Sequence, residues 1–212
     1  MSDLGTNNPS TIRFDSTAQN GGDERHSIQT YVSDMLALEQ HIGQPLQRQL
    51  DMSDTSKYPE ALRVIGQIKS LTDSHATALK QLLDQLGGHQ ASGIKSAWSS
   101  LLGVGAAAID SVRKTKISKA LRDDYTALNL AAISYEMLYA TAVGVGDTLT
   151  ADLAKRHLAD YARLVMEITQ VVPEVVLEEL QDDGEAVQAG SGDVIRRQIN
   201  EIWKNQSDVT HS

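Results

Sequence analysis

The sequence contains no cysteine, which excludes disulfides, thiolate zinc sites, iron–sulfur clusters and cysteine nucleophiles. Any metal held by this chain must therefore be bound through nitrogen and oxygen. Aromatic residues are scarce, at 4%, and the single phenylalanine, Phe14, falls in a polar opening segment. A core must then be assembled from Leu, Ile, Val, Ala and Met, a palette that favours helix on helix over a β-sandwich. Long apolar runs are also missing. The longest, Leu101 to Ile109, is far short of the roughly 20 residues that span a bilayer. Met1 to about Arg25 holds no apolar stretch of the kind a secretory leader carries, and a soluble cytoplasmic protein is expected. Positive charge is outweighed, with 19 Lys and Arg against 28 Asp and Glu and a formal net charge of −9, which disfavours nucleic acid and anionic membranes as partners. One basic cluster, Arg113, Lys114, Lys116, Lys119 and Arg122, is flanked by Asp110, Asp123 and Asp124 and reads as a solvated helix start.

What is present suits one core: 212 residues, 41% of them hydrophobic. The pattern divides into a disordered polar segment over 1–25, a helical bundle over 26–182 and a flexible tail over 183–212 with a short amphipathic helix. From His26 onward, Ile28, Val32, Met35, Ile42 and Leu46 recur at helical spacing, and Pro45 should kink this first helix or end its regular part near residue 44. Pro59 suits the first turn of a second helix whose stripe is Ala61, Ile65, Ile68, Thr72, His75, Leu79, Leu82 and Leu86, closed by Gly87-Gly88. Residues 89–116 read as a long crossover with a short helix. A third helix from about Ile117 to Val143 carries Leu121, Leu128, Ala132, Tyr135 and Tyr139, and the short turn Gly144 to Thr148 sends a fourth back beside it. That last helix carries Leu153, His157, Asp160, Leu164, Ile168, Val171 and Val175, with a bend expected at Pro173. The fold class is all-α, an antiparallel four-helix bundle with a crossover between its second and third helices.

Several polar residues fall on the apolar stripes. Glu39 lies between Met35 and Ile42, where an ionised carboxylate is costly unless paired or metal-bound. His75 follows Thr72 on the second helix, Glu136 sits beside Tyr135 on the third, and His157 and Asp160 share a face of the fourth. Glu39, His75, Glu136 and Asp160 thus offer one inward oxygen or nitrogen ligand from each helix, with His157 as a fifth candidate. Carboxylates that bridge two hard cations, completed by imidazoles from facing helices, are how bundles build dinuclear sites. Each residue also has a plainer reading. Glu39 can pair at a boundary, His75 can be a hydrogen-bonded core histidine, and Glu136 can face solvent. Asp160 can hold a tyrosine or lysine, and His157 can lie at the surface. Tyr125, Tyr135, Tyr139 and Tyr161 read as core and hydrogen-bonding residues.

Leu38-Glu39-Gln40, Ser74-His75-Ala76 with Leu86-Gly87-Gly88, Tyr135-Glu136 with Tyr139, and Leu158-Ala159-Asp160-Tyr161 appear in this order on successive helices. In this the chain resembles the ferritin-like superfamily, especially small bacterial stress-associated ferritin-like proteins of the YciE/YciF kind, over about residues 26–182. The resemblance implies a dinuclear iron or manganese site that reacts with dioxygen or peroxide, with Glu39, His75, Glu136 and Asp160 as ligands. Zinc is a further candidate. The chain departs from the superfamily pattern of Glu-x-x-His on two helices: Thr72-x-x-His75 stands on one, and His157-x-x-Asp160, in reversed order, on the other. A site of one or two ions and a metal-free helical scaffold both stay open. Metal ions are the expected partners and a homodimer the expected assembly, with no nucleic acid or membrane partner.

Overall fold

The computed structural model describes residues 20–52, 55–87 and 116–209. Among them are five α-helices, a short 3-10 turn at Thr55–Lys57 and no strand. The helices are α1 (Asn20–Asp51), α2 (Pro59–Gln85), α3 (Ile117–Val145), α4 (Thr148–Asp182) and α5 (Ser191–Val209).

Residue pairs that touch across the core fix the topology. Glu39 of α1 meets His75 of α2 and Tyr135 of α3, while Gln49 of α1 meets Asp124 of α3. Tyr58 and His75 of the α2 side meet Asp182 and Asp160 of α4, and α3 meets α4 through Tyr135 with His157 and Ser118 with Glu179. Gln29 of α1 also donates to the Leu86 carbonyl at the end of α2, so in each pair rising numbers on one helix match falling numbers on the other, and all four neighbouring pairs are antiparallel. The diagonal helices α2 and α3 are consequently parallel, which puts Gly87 and Lys116 at opposite ends of the bundle. Their connection is the anticipated crossover, and the short helix expected within it lies outside the described residues.

The core follows the 3.6-residue period: Val32, Leu38 and Leu46 of α1, Ile65, Ile68 and Leu79 of α2, Leu121 and Leu128 of α3, and Leu164 and Ile168 of α4 are all essentially inaccessible. Packing of this kind explains why neither interior proline ends its helix. Pro45 lies within α1, which runs on to Asp51, and Pro173 lies within α4, which runs on to Asp182. A mid-helix proline costs about 3 kcal/mol, whereas each fully buried large aliphatic side chain contributes roughly 1.5–3 kcal/mol. Ile42 and Leu46 flank Pro45 in the core, and Val171 and Val175 flank Pro173. Of the two expectations at Pro45, an end of the regular helix near residue 44 is therefore overridden by burial on both sides of it. Helix α1 also begins earlier than the expected His26, since residues 20–25 are helical; residues 1–19 of the expected disordered segment lie outside the described residues.

Helix ends are satisfied by side chains and turns. Gly146, at φ 76°, ends α3 in the left-handed conformation that glycine adopts without a Cβ penalty, and Asp147 then caps α4 by accepting from Thr150 N at 3.0 Å. At the other end of the hairpin, the buried Glu179 of α4 accepts from Ser118 N at 2.9 Å and Ser118 Oγ at 2.6 Å. A carboxylate at the start of α3 suits both the unpaired amides and the positive end of the helix dipole.

Helix α3 is, by length and composition, apolar enough to cross a membrane, with an 18-residue window of mean hydropathy 1.2. Counting uninterrupted apolar residues missed this because Thr, Asn and Ser punctuate the helix. Its inner face carries the buried Asp124 and Tyr135 against α1 and α4, while Leu130, Ile133 and Met137 are exposed on its outer face. In the tail, α5 lies on α4, joined by Gln170 to Asn200 at 2.7 Å and Arg196 to Glu174 at 3.1 Å.

Candidate metal centre

At mid-bundle the four helices point polar side chains at one another. Helix α1 supplies Glu39, α2 supplies Thr72 and His75, α3 supplies Tyr135, and α4 supplies His157, Tyr161 and Asp160. All but Asp160 are buried, and Glu39 has no exposed surface.

A carboxylate at that depth persists because donors converge on it. Tyr135 OH donates to Glu39 Oε1 at 2.5 Å, Tyr161 OH donates to Oε2, and His75 Nδ1 lies 3.2 Å from Oε1. Burial first, and then the charge of Glu39, push both phenols up, Tyr135 well above its ordinary range. They stay protonated as donors. His75 Nε2 lies 3.3 Å from Asp160 Oδ2, so the ring is bracketed by two carboxylates. Both contacts become hydrogen bonds at once only when each ring nitrogen carries a proton.

His157 stacks on His75, with ring centroids 3.7 Å apart and planes within 12°. Its Nδ1 lies 2.9 Å from Tyr135 OH. The phenol's one proton is given to Glu39, so Nδ1 must be the donor to the phenol oxygen. Burial, then the neighbouring His75 and Arg156, lower His157 to about 3, so the ring is neutral. A neutral imidazole protonated at Nδ1 presents a bare lone pair at Nε2, the form in which histidine ligates metals.

Glu39, His75 and His157 each offer one ligand atom, and these three atoms lie within 4.8 Å of one another. Nitrogen and oxygen ligands sit about 2.0–2.2 Å from a transition-metal ion, so donors sharing one ion lie at most about 4.3 Å apart. Two imidazoles with a carboxylate form a donor set that iron(II), manganese(II) and zinc accept, so with side-chain rearrangement the group could hold a metal ion.

The five residues singled out from the sequence do not all meet. Glu39, His75 and His157 come together, and Asp160 reaches the cluster from a half-exposed position, where Arg163 lies 3.7 Å from its other oxygen. Glu136 is exposed on the outer side of α3, which corrects the expectation of an inward ligand. The buried stripe of α3 runs through Leu128, Ala131, Tyr135, Leu138 and Ala142, and one residue past Tyr135 turns about 100° away from it. Tyr135 takes the inward place instead. Tyr135 and Tyr161 were legible as hydrogen-bonding core residues, but their shared partner, Glu39, was not.

A second buried polar pair escaped the sequence reading altogether. Gln49 Nε2 donates to Asp124 Oδ1 at 3.0 Å, while Gln49 Oε1 and Asp124 Oδ2 have no partner. Burial, opposed by the Gln49 bond and aided by Asp123, raises the Asp124 carboxyl to about 7. Protonated at Oδ2, Asp124 can donate to Gln49 Oε1, and the acid and amide then close two hydrogen bonds that satisfy both orphans.

Fold and site together define a helical-bundle protein with a buried cluster able to hold a metal. The chain belongs to the family described as a domain of unknown function, DUF892, which it matches over residues 29–181. That span covers α1 from Gln29 onward and nearly all of α4. No curated protein and no solved structure matches the chain.

Proposed function

We propose that the chain is a ferritin-like metal-binding protein that holds one divalent ion, iron or manganese, through Glu39, His75 and His157. The observation that carries this reading is the convergence of two imidazoles and one carboxylate, one from each of three helices, in a buried cluster. A second ion would need bridging carboxylates. Glu136 faces outward and Thr72 brings none, which leaves Asp160 alone at the rim and favours one ion over the two anticipated from the resemblance. Such an ion would supply redox chemistry toward dioxygen or peroxide when bound. The residues around it orient the ligands: Tyr135 fixes the His157 tautomer, and Asp160 holds the His75 ring from the nitrogen that does not face Glu39. A cytoplasmic homodimer is the assembly proposed with it, and light scattering on the full chain reads its mass.

One observation favours a metal-free scaffold instead. The oxygens of Glu39 already receive Tyr135, Tyr161 and His75, so the cluster is satisfied without an ion. Metal analysis separates the two readings. Protein purified from cells supplemented with iron and manganese should carry roughly one ion per chain; Glu39→Ala should carry almost none, and the outer-face variant Glu136→Ala should match wild type. Equal, near-zero metal in all three leaves the scaffold reading.

A further inference from the structure

Between α1 and α2 a cleft of about 370 Å3 opens to solvent, lined by Glu39, Gly43, Gln44, Lys69, Thr72 and Asp73. Its position matters because Glu39 itself has no exposed surface and the Thr72 beside it is 1% exposed. The void ends against the carboxylate at the centre of the polar cluster. Thr72 Oγ1 stands 3.5 Å from the Tyr161 hydroxyl that donates to Glu39.

Gly43 keeps the cleft open. A glycine in the interior of a helix is unfavourable relative to alanine, through backbone entropy. Neither backbone nor packing demands it at this position. Its φ is outside the left-handed region, and a Cβ there would lie 3.5 Å from Thr72 Cγ2, an ordinary contact. A side chain longer than a methyl group would instead project into the void. The rim is neutral overall, with Lys69 paired to Asp73 and Gln44 offering an amide oxygen. A hydrated cation meets no unpaired positive charge there. The opposite approach, between α2 and α4, differs: Asp160 is packed on His75 Nε2, and the Arg163 guanidinium lies 3.7 Å from its other oxygen. Arg163 is also paired with Glu167 at 2.6 Å, so that face is occupied by mutually paired side chains.

We propose that the α1–α2 cleft is the route by which a divalent cation reaches and leaves Glu39, held open by the missing side chain at Gly43. The inference rests on the metal-binding reading above, and its test separates the two. The probe is Co2+, followed by stopped-flow absorbance with the full-length chain, with release measured into excess EDTA. Gly43→Leu fills the cleft from α1, and Ala76→Met narrows it from the α2 wall, so a folding failure in one leaves the other. A blocked route slows entry and exit alike: both rates should fall by roughly tenfold or more while Kd stays within about twofold. Gly43→Ala should load at close to the wild-type rate. Unchanged rates in the folded variants overturn the route, as does faster loading by Arg163→Ala with no slowing by Gly43→Leu. Wild-type protein that takes up no Co2+ overturns the metal reading, and the route with it.

Discussion

Two buried polar clusters share helices α1 and α3, about 15 Å apart along α1 at 1.5 Å per residue from Glu39 to Gln49, and their hydrogen bonds are satisfied in opposite ways. In the first, three donors from three helices converge on Glu39. In the second, one donor reaches Asp124, and an oxygen on each partner is left over. The first meets both oxygens of its fully buried carboxylate with donors. The second holds its carboxyl by keeping it protonated, at about 7. How a buried carboxyl is satisfied thus depends less on depth than on the number of donors brought to it, and supplying donors takes side chains from several helices.

Removing the acceptor at the first cluster tests that contrast most severely. Glu39→Ala strands two phenols and an imidazole and opens a cavity, and a broken buried network of this kind costs about 3–5 kcal/mol. Urea unfolding of the metal-free wild type and variant at pH 7 measures it. A loss under about 1 kcal/mol would mean that the donors relax toward other partners, and the two clusters would no longer differ in kind.

The second cluster should reveal itself through pH. Its folded-state carboxyl, at about 7, lies above an unfolded aspartate near 3.9, so the folded chain holds the proton more tightly. Its contribution is full below about pH 4, falls as pH rises toward 7 and is level above that, by up to about 4 kcal/mol for three pKa units. Among charged groups, Asp123 alone acts on it, and the packed partner Gln49 is neutral. Asp124→Asn imitates the protonated acid, since its amide can donate to Gln49 Oε1 while its oxygen accepts from Gln49 Nε2. The variant should come closest to wild type near pH 3 and exceed it in melting temperature most at pH 8. A gap that is the same at both values would remove this account of the orphaned atoms.

What was legible in the sequence follows from the same physics. The helices, their antiparallel order and the crossover were readable because apolar residues repeat every three or four positions, and the turn at Gly146-Asp147 carries its own capping chemistry. Glu39 and His75 were readable because each interrupts such a stripe. Glu136 misled because it adjoins a stripe without belonging to it, and a phase error of one residue rotates a side chain from core to solvent. The Gln49–Asp124 pair joins residues 75 positions apart, and no local pattern announces a contact of that range. Pro45 does not end its helix for the converse reason, since local propensity cannot count the buried Ile42 and Leu46 that hold the helix through it.

The smallest expected effect concerns how the first cluster remains reachable while the second is sealed. Gly43 stands inside α1 in an ordinary helical environment, and a methyl group there would touch Thr72 Cγ2 at 3.5 Å. If the glycine were needed for close helix packing, alanine would push α1 and α2 apart and destabilise the chain. If its role is to leave the cleft open, alanine should stabilise by about 0.5–1 kcal/mol, the usual difference in helix propensity. Urea midpoints of Gly43→Ala and wild type decide between these. A lowered midpoint assigns Gly43 to packing, whereas a raised one shows that the chain carries a less stable residue beside Glu39 than its backbone requires.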